Sequence, residues 1–186
     1  MNMKDVSIII PIYNVEKYVA ECLNSVISQT YDHSKIECII VDDCTPDKSM
    51  DIVNDIIGQY KGSMSIRLCR HEKNKGLSAS RNTGLDISSG EYIFFLDSDD
   101  KFRADTVKSV TDFFDTVYDE VDLVTYRIIQ YYGEKPVLYG GSEYERISAL
   151  IYRKPKGKRP FLELELYDKC GHSVMIAKPD KVSVKM

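Results

Sequence analysis

Residues 91–100 read EYIFFLDSDD, an apolar run that leads directly into three carboxylates. The apolar part, residues 91–96, predicts a β-strand buried on both faces, as the strands of parallel sheets are. The carboxylates of Asp97, Asp99 and Asp100 follow within four positions. Their mutual repulsion costs folding free energy unless a positive group lies among them. The stretch therefore predicts a buried strand that ends in an acidic turn with a cationic partner.

The sequence on either side of this stretch alternates between strand-like and helix-like patterns. Short apolar runs predict further strands at residues 6–10, 36–41, 65–70 and 121–129, of which 65–70 is the most exposed. Apolar residues three or four apart predict helices near residues 15–27, 50–60, 78–87 and 107–117. We expect Pro11 to end the first strand and Asn14 to cap the helix that follows it.

This alternation, at intervals of roughly 30 residues, is typical of βαβ units. It predicts the α/β class, with a mostly parallel open sheet and helices on both faces. Ligands of such sheets bind beyond the carboxyl ends of the strands. Polar clusters at residues 11–14, 42–43 and 97–100 follow three of the predicted strands. We therefore expect these clusters to face one crevice.

The pattern is weaker beyond residue 130. Residues 131–136 predict a hairpin or loop, residues 142–152 a helix, and residues 161–167 and 173–177 two strands. Residues 153–159 form a basic loop, which is either a solvated segment or a contact to phosphate, a lipid-linked ligand or an anionic membrane.

Composition narrows the class of protein. The 186 residues are 43% hydrophobic and 29% charged, with a net charge of −4, so the chain is an ordinary globular one. The acidic excess predicts no nucleic-acid partner. Five cysteines without a CxxC pair predict a reducing compartment. No signal peptide or spanning segment is evident, so we expect a cytoplasmic protein, with peripheral attachment to a membrane left open.

The acidic turn is a candidate metal site. Asp97 and Asp99 are one residue apart and point the same way if the backbone stays extended. Two hard oxygen ligands suit Mg²⁺ or Mn²⁺, which also bind water and substrate phosphates. The alternative is a solvated acidic turn that caps the next helix, a role that suits Asp100.

Three other segments offer groups for a nucleotide. Asp42 and Asp43 end the second strand and could accept hydrogen bonds from a ribose or a base N–H, although Asp42 equally suits an Asx turn. Tyr13 could stack on a base or pack at the rim of the core. A loop from Gly76 leads into a helix N-terminus that attracts phosphate, with Arg81 nearby. His33, His71 and His172 show no ligand spacing and are interpreted as surface or structural residues.

Four segments in order, VSIIIPIYN, CIIVDDCTPD, NKGLSASRNTGL and GEYIFFLDSDD, resemble the N-terminal half of family 2 glycosyltransferases of the GT-A fold. The resemblance covers about residues 5–100. It implies a Rossmann-like GT-A sheet, a nucleotide-sugar donor (a UDP-sugar), a divalent Mn²⁺ or Mg²⁺ ion, and transfer of the sugar to a saccharide or lipid-linked saccharide acceptor. On this basis residues 1–130 form the nucleotide-sugar-binding core. Residues 131–186 form an incomplete acceptor-side extension of the same domain.

The resemblance also implies roles for individual residues. Asp43 corresponds to the carboxylate that contacts the base, and Asp99 to the direct metal ligand, with Asp97 reaching the ribose or the metal's waters. The residues implied to bind the nucleotide sugar are Pro11, Tyr13, Asn14, Asp42, Asp43, Gly76, Arg81, Asn82, Asp97 and Ser98. Those implied to bind the metal are Asp99 and Asp97.

The general base is not identified. In this family it is usually an acid of a later Glu-Asp motif, and the reaction inverts the anomeric carbon. No Glu-Asp dipeptide follows Asp100. Glu163 and Glu165 are the nearest candidates, but their alternation also fits the exposed face of a strand.

Two alternatives remain. The first is a haloacid-dehalogenase-like phosphatase, whose motif also places DxD after an apolar strand but usually has Thr or Val where Lys101 stands. The second is a domain that binds a nucleotide sugar without transferring it.

Overall fold

The structure is a computed structural model that describes residues 5–116 and six short strands beyond them, with side chains described for residues 5–115. In chain order the elements are β1 (Val6–Ile12), α1 (Val19–Ile27), a 3₁₀ turn (His33–Lys35), β2 (Ile36–Asp42), α2 (Ser49–Gln59), β3 (Ser65–Arg70), α3 (Leu77–Ile87), β4 (Tyr92–Phe95), α4 (Thr106–Thr116), β5 (Leu123–Val124), β6 (Gln130–Tyr132), β7 (Lys135–Val137), β8 (Ile151–Arg153), β9 (Leu164–Tyr167) and β10 (Ser173–Ile176).

A six-stranded sheet with the order β3-β2-β1-β4-β8-β5 forms the centre of the fold. Strands β1 to β4 are parallel to one another, whereas β8 is antiparallel to both β4 and β5. The chain builds the sheet outward from β1 to β3 and then crosses to β4 on the other side of β1. The α/β class and the mostly parallel open sheet predicted from the sequence are confirmed.

Helices cover both faces of this sheet. One side of β1, represented by Ile8 and Ile10, packs in a buried cluster with residues of α1, α2 and α4, among them Phe114. The other side, represented by Ile9, packs in a second cluster against Leu85 of α3. Because both faces are buried, β1 and β2 are apolar nearly throughout, as the sequence predicted.

Glycine allows α3 to lie close to the sheet. A Cβ atom at Gly84 would lie 2.3 Å from Cγ2 of Ile9, so a larger residue there would push the helix away from β1. This close packing matters for the site because α3 also carries Arg81 and Asn82.

The end of β1 differs from the prediction in two ways. The strand continues through Pro11 to Ile12. The Ile9 carbonyl accepts from the Leu96 amide, so the alternate residue Pro11 also faces β4, but the pairing of β1 with β4 ends at Ile9. A missing N–H at Pro11 therefore costs no ladder hydrogen bond.

Asn14 does not cap the next helix, and that prediction is wrong. Helix α1 begins at Val19, and its N-cap, Tyr18, makes no side-chain cap hydrogen bond. Asn14 instead adopts a left-handed conformation with φ 56°, and a turn closed by Tyr18 N and Val15 O precedes the helix. Asn tolerates this conformation better than most residues, so it suits the chain reversal at the strand end.

The described strands beyond residue 116 correct one further expectation. The hairpin is confirmed, since β6 pairs antiparallel with β7. The predicted strands near 161–167 and 173–177 correspond to β9 and β10, which pair antiparallel. Residues 151–152 belong to strand β8 and not to a helix, while residues 142–150 lie outside the described part. Of residues 121–129, only 123–124 are described, as β5.

Within the described residues, no helix combines the length and apolarity that crossing a membrane requires.

Candidate functional site at the carboxyl edge of the sheet

The candidate site lies where β1, β2 and β4 end. These strands are parallel, so their carboxyl ends meet at one edge of the sheet, and the strand order reverses between β1 and β4. A crevice at such a reversal is the usual ligand position in open α/β sheets. Hydrogen bonds between side chains and backbone amides connect the loops that follow these strands.

The loop after β2 binds the loop after β1. Three successive amides of the loop after β1 donate to two side chains of the loop after β2 and to the first residue of α2: Asn14 N to Thr45 Oγ1 (2.8 Å), Glu16 N to Asp47 Oδ2 (2.9 Å) and Val15 N to Ser49 Oγ (3.1 Å). This clamp fixes the backbone next to Tyr13, whose side chain is 47% exposed. Its ring is therefore accessible to a ligand, and both interpretations of Tyr13, as a base-stacking residue and as a residue of the core rim, stay predictions.

Asp47 is the centre of this clamp. Its Oδ1 also accepts from the hydroxyls of Thr45 (2.7 Å) and Ser49 (2.6 Å). Burial alone would raise the pKa of the Asp47 carboxyl, but the hydrogen bonds from Ser49, Thr45 and Glu16 N outweigh burial and lower it to about 2. Sequence reasoning missed this residue, although Asp47 follows Pro46 and precedes a helix, a position typical of capping acids.

Asp42 forms a turn of its own. Its carboxylate is buried, accepts from the Thr45 amide at 2.8 Å, and pairs with Nε of Arg70 at 3.2 Å. These contacts match the turn alternative from the sequence. Its predicted contact with the nucleotide stays a prediction.

Asp43 organises the entry to α3. Oδ1 accepts from His71 Nδ1 (2.6 Å) and from the Lys75 amide (2.8 Å), while Oδ2 accepts from the Gly76 amide (2.7 Å). Burial acts to raise the pKa of the Asp43 carboxyl, yet the hydrogen bonds from His71 and the two amides hold it below its usual range. Gly76 is the N-cap of α3 with φ 86°, a conformation that glycine adopts without strain.

His71, interpreted from the sequence as a surface or structural residue, is buried and lies next to Asp43 in the candidate site. Its ring is 5% exposed and contacts Asp43 on one side and Thr83 Oγ1 on the other, at 2.8 Å. The register between β2 and β3 explains why His71 lies next to Asp43. Asp42 pairs with Arg70, so the next residues of the two parallel strands, Asp43 and His71, are neighbours.

Arg81 connects α3 to the end of β4. One guanidinium nitrogen, Nη2, donates to Oδ1 of Asp97. This is the positive group that the acidic turn requires. Buried atoms without a partner among the described residues include Arg81 Nε and Asn82 Oδ1. An unpaired buried N–H on a cation is suited to an incoming anionic or carbonyl oxygen.

The residues of the acidic turn differ in their burial and in their contacts. The Asp100 amide donates to the Asp97 carbonyl at 2.9 Å, and Cys22 Sγ lies 3.7 Å from the same oxygen. Ser98 is buried, whereas Asp99 is exposed. Among the side chains described for residues 5–115, Asp99 has neither an ion pair nor a hydrogen bond.

No group of three or more His, Cys, Asp or Glu side chains arranged to hold a metal occurs in the described part of the chain. Mg²⁺ commonly binds one or two protein carboxylates and completes its coordination with water and substrate phosphates. Of the two candidate bases, Glu165 lies in β9 opposite Met175, and its side chain is outside the described part. Glu163 is also outside it.

Comparison with known proteins places this geometry in a family. The model of glycosyl transferase family 2 matches residues 7–179. The chain is 40% identical over 120 residues to the minor teichoic acid biosynthesis protein GgaB of Bacillus subtilis, covering 64% of this chain and 13% of GgaB. It is 34% identical over 123 residues to the poly(ribitol-phosphate) beta-N-acetylglucosaminyltransferase TarS of Staphylococcus aureus, covering 66% of this chain and 21% of TarS.

A solved structure of one of these relatives has a similar fold. The crystal structure of S. aureus TarS 1–349 in complex with UDP-GlcNAc superposes with a TM-score of 0.65 at 27% identity, covering 81% of this chain and 45% of that one. The chain spans about a fifth or less of the length of the two curated relatives. Its own strand order, the family match over most of its length and this superposition show that the chain has the GT-A fold and belongs to glycosyl transferase family 2.

Proposed function

We propose that this chain forms the donor-binding part of an inverting, metal-dependent glycosyltransferase. It would move a sugar from a UDP-sugar to an acceptor hydroxyl in polysaccharide or glycoconjugate synthesis. Family membership supports the reaction class and favours it over the phosphatase alternative. TarS, which is related in sequence and fold, has been solved with UDP-GlcNAc, which supports the choice of donor.

The observation that carries the proposal is the contrast among acids at one sheet edge. Asp42, Asp43 and Asp97 are each bound by a cationic side chain or by amides. Asp99, in the turn that follows the buried strand β4, has an exposed carboxylate without a partner among the described side chains. An exposed carboxylate beside a neutralised one provides a ligand for a cation that is also held by a diphosphate.

These residues fit a divalent ion that is held jointly by the protein and the diphosphate of the donor. Asp99 would hold it directly, and Asp97, paired with Arg81, would reach its waters or the ribose. The bound ion would stabilise the negative charge that develops on the leaving diphosphate. The Arg81 Nε–H, buried without a partner among the described residues, supports a second contact to an oxygen of the donor.

The nucleoside would lie between Tyr13 and Asp43. The exposed ring of Tyr13 can stack on a base, and among the described residues Asp43 Oδ2 accepts one hydrogen bond, which leaves it an acceptor position. Pro11, Asn14, Gly76, Asn82 and Ser98 complete the proposed donor site as backbone or polar contacts.

An acid must also accept the proton of the acceptor hydroxyl as the anomeric carbon becomes electron-deficient. Glu163 and Glu165 stay candidates for this base. The relatives' names support a teichoic acid or poly(ribitol-phosphate) as acceptor, and a saccharide or lipid-linked saccharide stays the prediction from the sequence. We place the protein in the cytoplasm, with the basic segment 153–159 able to contact the inner face of a membrane.

A nucleotide-sugar panel read by thermal shift tests donor binding. With Mn²⁺ and about a hundredfold excess over Kd, UDP and its sugars should raise Tm by about 5–10 °C. Omission of Mn²⁺ should abolish most of that shift. No shift with any nucleotide diphosphate would contradict the proposal.

Turnover separates the enzyme from a non-catalytic binding domain. Release of UDP from a UDP-sugar by the wild type, and its loss in Asp99→Ala, would identify an enzyme. Tight UDP binding without release, with or without a saccharide acceptor, would instead identify a binding domain.

A further inference from the structure

Three hydrogen-bonded side chains, Asp43, His71 and the half-buried Thr83, lie in a row beside the proposed base site. Asp43 Oδ1 lies 2.6 Å from His71 Nδ1, and His71 Nε2 lies 2.8 Å from Thr83 Oγ1. The side chains of Asp43 and His71 are 3% and 4% exposed. This row joins the ends of β2 and β3 to helix α3.

The charge of Asp43 fixes the direction of these hydrogen bonds. Its carboxyl has a lowered pKa, so it is ionised at neutral pH and can only accept. His71 Nδ1 must therefore carry a proton. In the neutral ring, Nε2 then accepts from the Thr83 hydroxyl, which holds the imidazole in one tautomer and one orientation.

This arrangement fixes which carboxylate oxygen is available to a ligand. Oδ1 accepts two hydrogen bonds, from His71 and the Lys75 amide, and so uses both lone pairs. Among the described residues Oδ2 accepts one, from the Gly76 amide, which leaves one acceptor position. The terminal torsion of aspartate is soft, so the carboxylate would rotate more freely without the imidazole.

We infer that His71, itself held by Thr83, is a positioning residue that sets the base preference of the site by fixing the Asp43 carboxylate as an acceptor. This inference rests on the proposed function. A fixed anionic acceptor binds a base edge that presents an N–H, as uracil does at N3. It rejects cytosine, whose N3 presents a lone pair, because two acceptors then face each other.

A purely structural role would give a different result. A histidine that only ties β2, β3 and α3 together would change stability, but it would leave the ratio of affinities for two nucleotides unchanged. The ratio of the UDP and CDP dissociation constants therefore distinguishes positioning from general support, because a loss of folded protein affects both nucleotides equally.

The experiment measures UDP and CDP binding by calorimetry with Mn²⁺ present, for the wild type and four variants. His71→Leu removes both hydrogen bonds, and His71→Asn keeps a donor near the Nδ1 position. Thr83→Val removes the hydroxyl, and Thr83→Ser restores it. We expect His71→Leu to reduce the preference for UDP about tenfold and Thr83→Val about threefold. His71→Asn keeps the donor to Asp43 but cannot reach Thr83, so it should resemble Thr83→Val. Thr83→Ser should stay close to the wild type.

His33 provides a matched control on another part of the fold. Its ring also makes two hydrogen bonds, to Tyr60 Oη (2.9 Å) and to the Gln29 carbonyl (2.8 Å). His33→Leu should lower Tm and leave the UDP-to-CDP ratio unchanged.

The outcomes are separable. A wild type that binds neither nucleotide overturns the proposed function, and this inference with it. A wild type that prefers UDP, with an unchanged ratio in His71→Leu or, if that variant fails to fold, in Thr83→Val, overturns the positioning role alone. An equal change of the ratio in His33→Leu would also overturn it.

Discussion

Two acidic corners lie at the same edge of the sheet and differ in how their carboxylates are bound. At the Asp43 corner, a buried carboxylate accepts from His71 and from the Lys75 and Gly76 amides. At the Asp97–Asp99 turn, one carboxylate pairs with Arg81, and the other is exposed without a partner among the described side chains. At the first corner the protein's own donors hold the carboxylate and leave one acceptor position on Oδ2 among the described residues, whereas at the second corner the Asp99 carboxylate has no such donors.

The difference shows that the identity of an acid does not determine its role. A carboxylate surrounded by donors stabilises the loops that donate to it, so its removal should cost folding free energy. An exposed carboxylate contributes little to folding and is available to a ligand. Substitutions at the two corners should therefore separate stability from binding.

Asp43→Ala should have the greatest effect on stability. It removes three hydrogen bonds to a buried anion and leaves the His71 ring without its acceptor. We expect a loss of about 3 kcal/mol in the free energy of unfolding, measured by chemical denaturation. Asp55→Ala, at an exposed position of α2, is the control and should change it little. An Asp43→Ala protein as stable as this control would remove the distinction between the corners.

Arg81→Met should destabilise the acidic turn by about 2 kcal/mol, because Asp97 loses its cation while its side chain is 28% exposed and still partly hydrated. Adding Asp99→Asn should recover about 0.5–1 kcal/mol in this background, by relieving repulsion, but have little effect in the wild type. Denaturation of the four proteins in this cycle measures the coupling. Strictly additive effects would show that Arg81 does not neutralise the turn.

The Asp47 carboxylate should make the free energy of unfolding depend on pH. Its pKa in the folded protein, about 2, is below the ordinary value of 3.8, so its contribution to stability is present above pH 4 and is lost as the pH falls toward 2. After discounting for solvent, we expect about 1–2 kcal/mol. The difference in unfolding free energy between wild type and Asp47→Asn should shrink over that window. A difference that is constant from pH 6 to pH 2 would contradict the clamp.

Cys44→Gly should have the smallest effect. Cys44 lies next to Asp43 with φ 60°, a conformation that strains most residues but not glycine. The greater entropy of glycine in the unfolded chain offsets part of the relief, so we expect a gain of about 0.5 kcal/mol. Cys44→Val should instead destabilise the protein, and thermal unfolding of the pair tests the sign.

Much of the sheet could be predicted from the sequence because its signals are local. Apolar runs marked β1 to β4, and the rule for parallel strands placed Asp43 and Asp97 at one edge. The end of β1 could not be predicted, because whether Pro11 loses a ladder hydrogen bond depends on where β4 stops pairing.

The different contacts of the acidic site residues could not be predicted from the sequence either. The pairing of Arg81 with Asp97 and the contact of His71 with Asp43 join residues far apart in sequence. In a single sequence, an Asp that accepts several hydrogen bonds cannot be told apart from an Asp that is exposed. Their surroundings become distinct only when β2, β3 and α3 are packed together.

Binding of Mn²⁺ and UDP to the wild type and to Asp99→Ala, followed by calorimetry, is the decisive test of the division between the two corners. We expect each ligand to strengthen binding of the other in the wild type. Asp99→Ala should keep its Tm and lose that mutual effect, with UDP affinity in Mn²⁺ reduced at least tenfold. An Asp99→Ala protein that binds UDP with unchanged affinity and unchanged dependence on Mn²⁺ would contradict the assignment of Asp99 as the metal ligand.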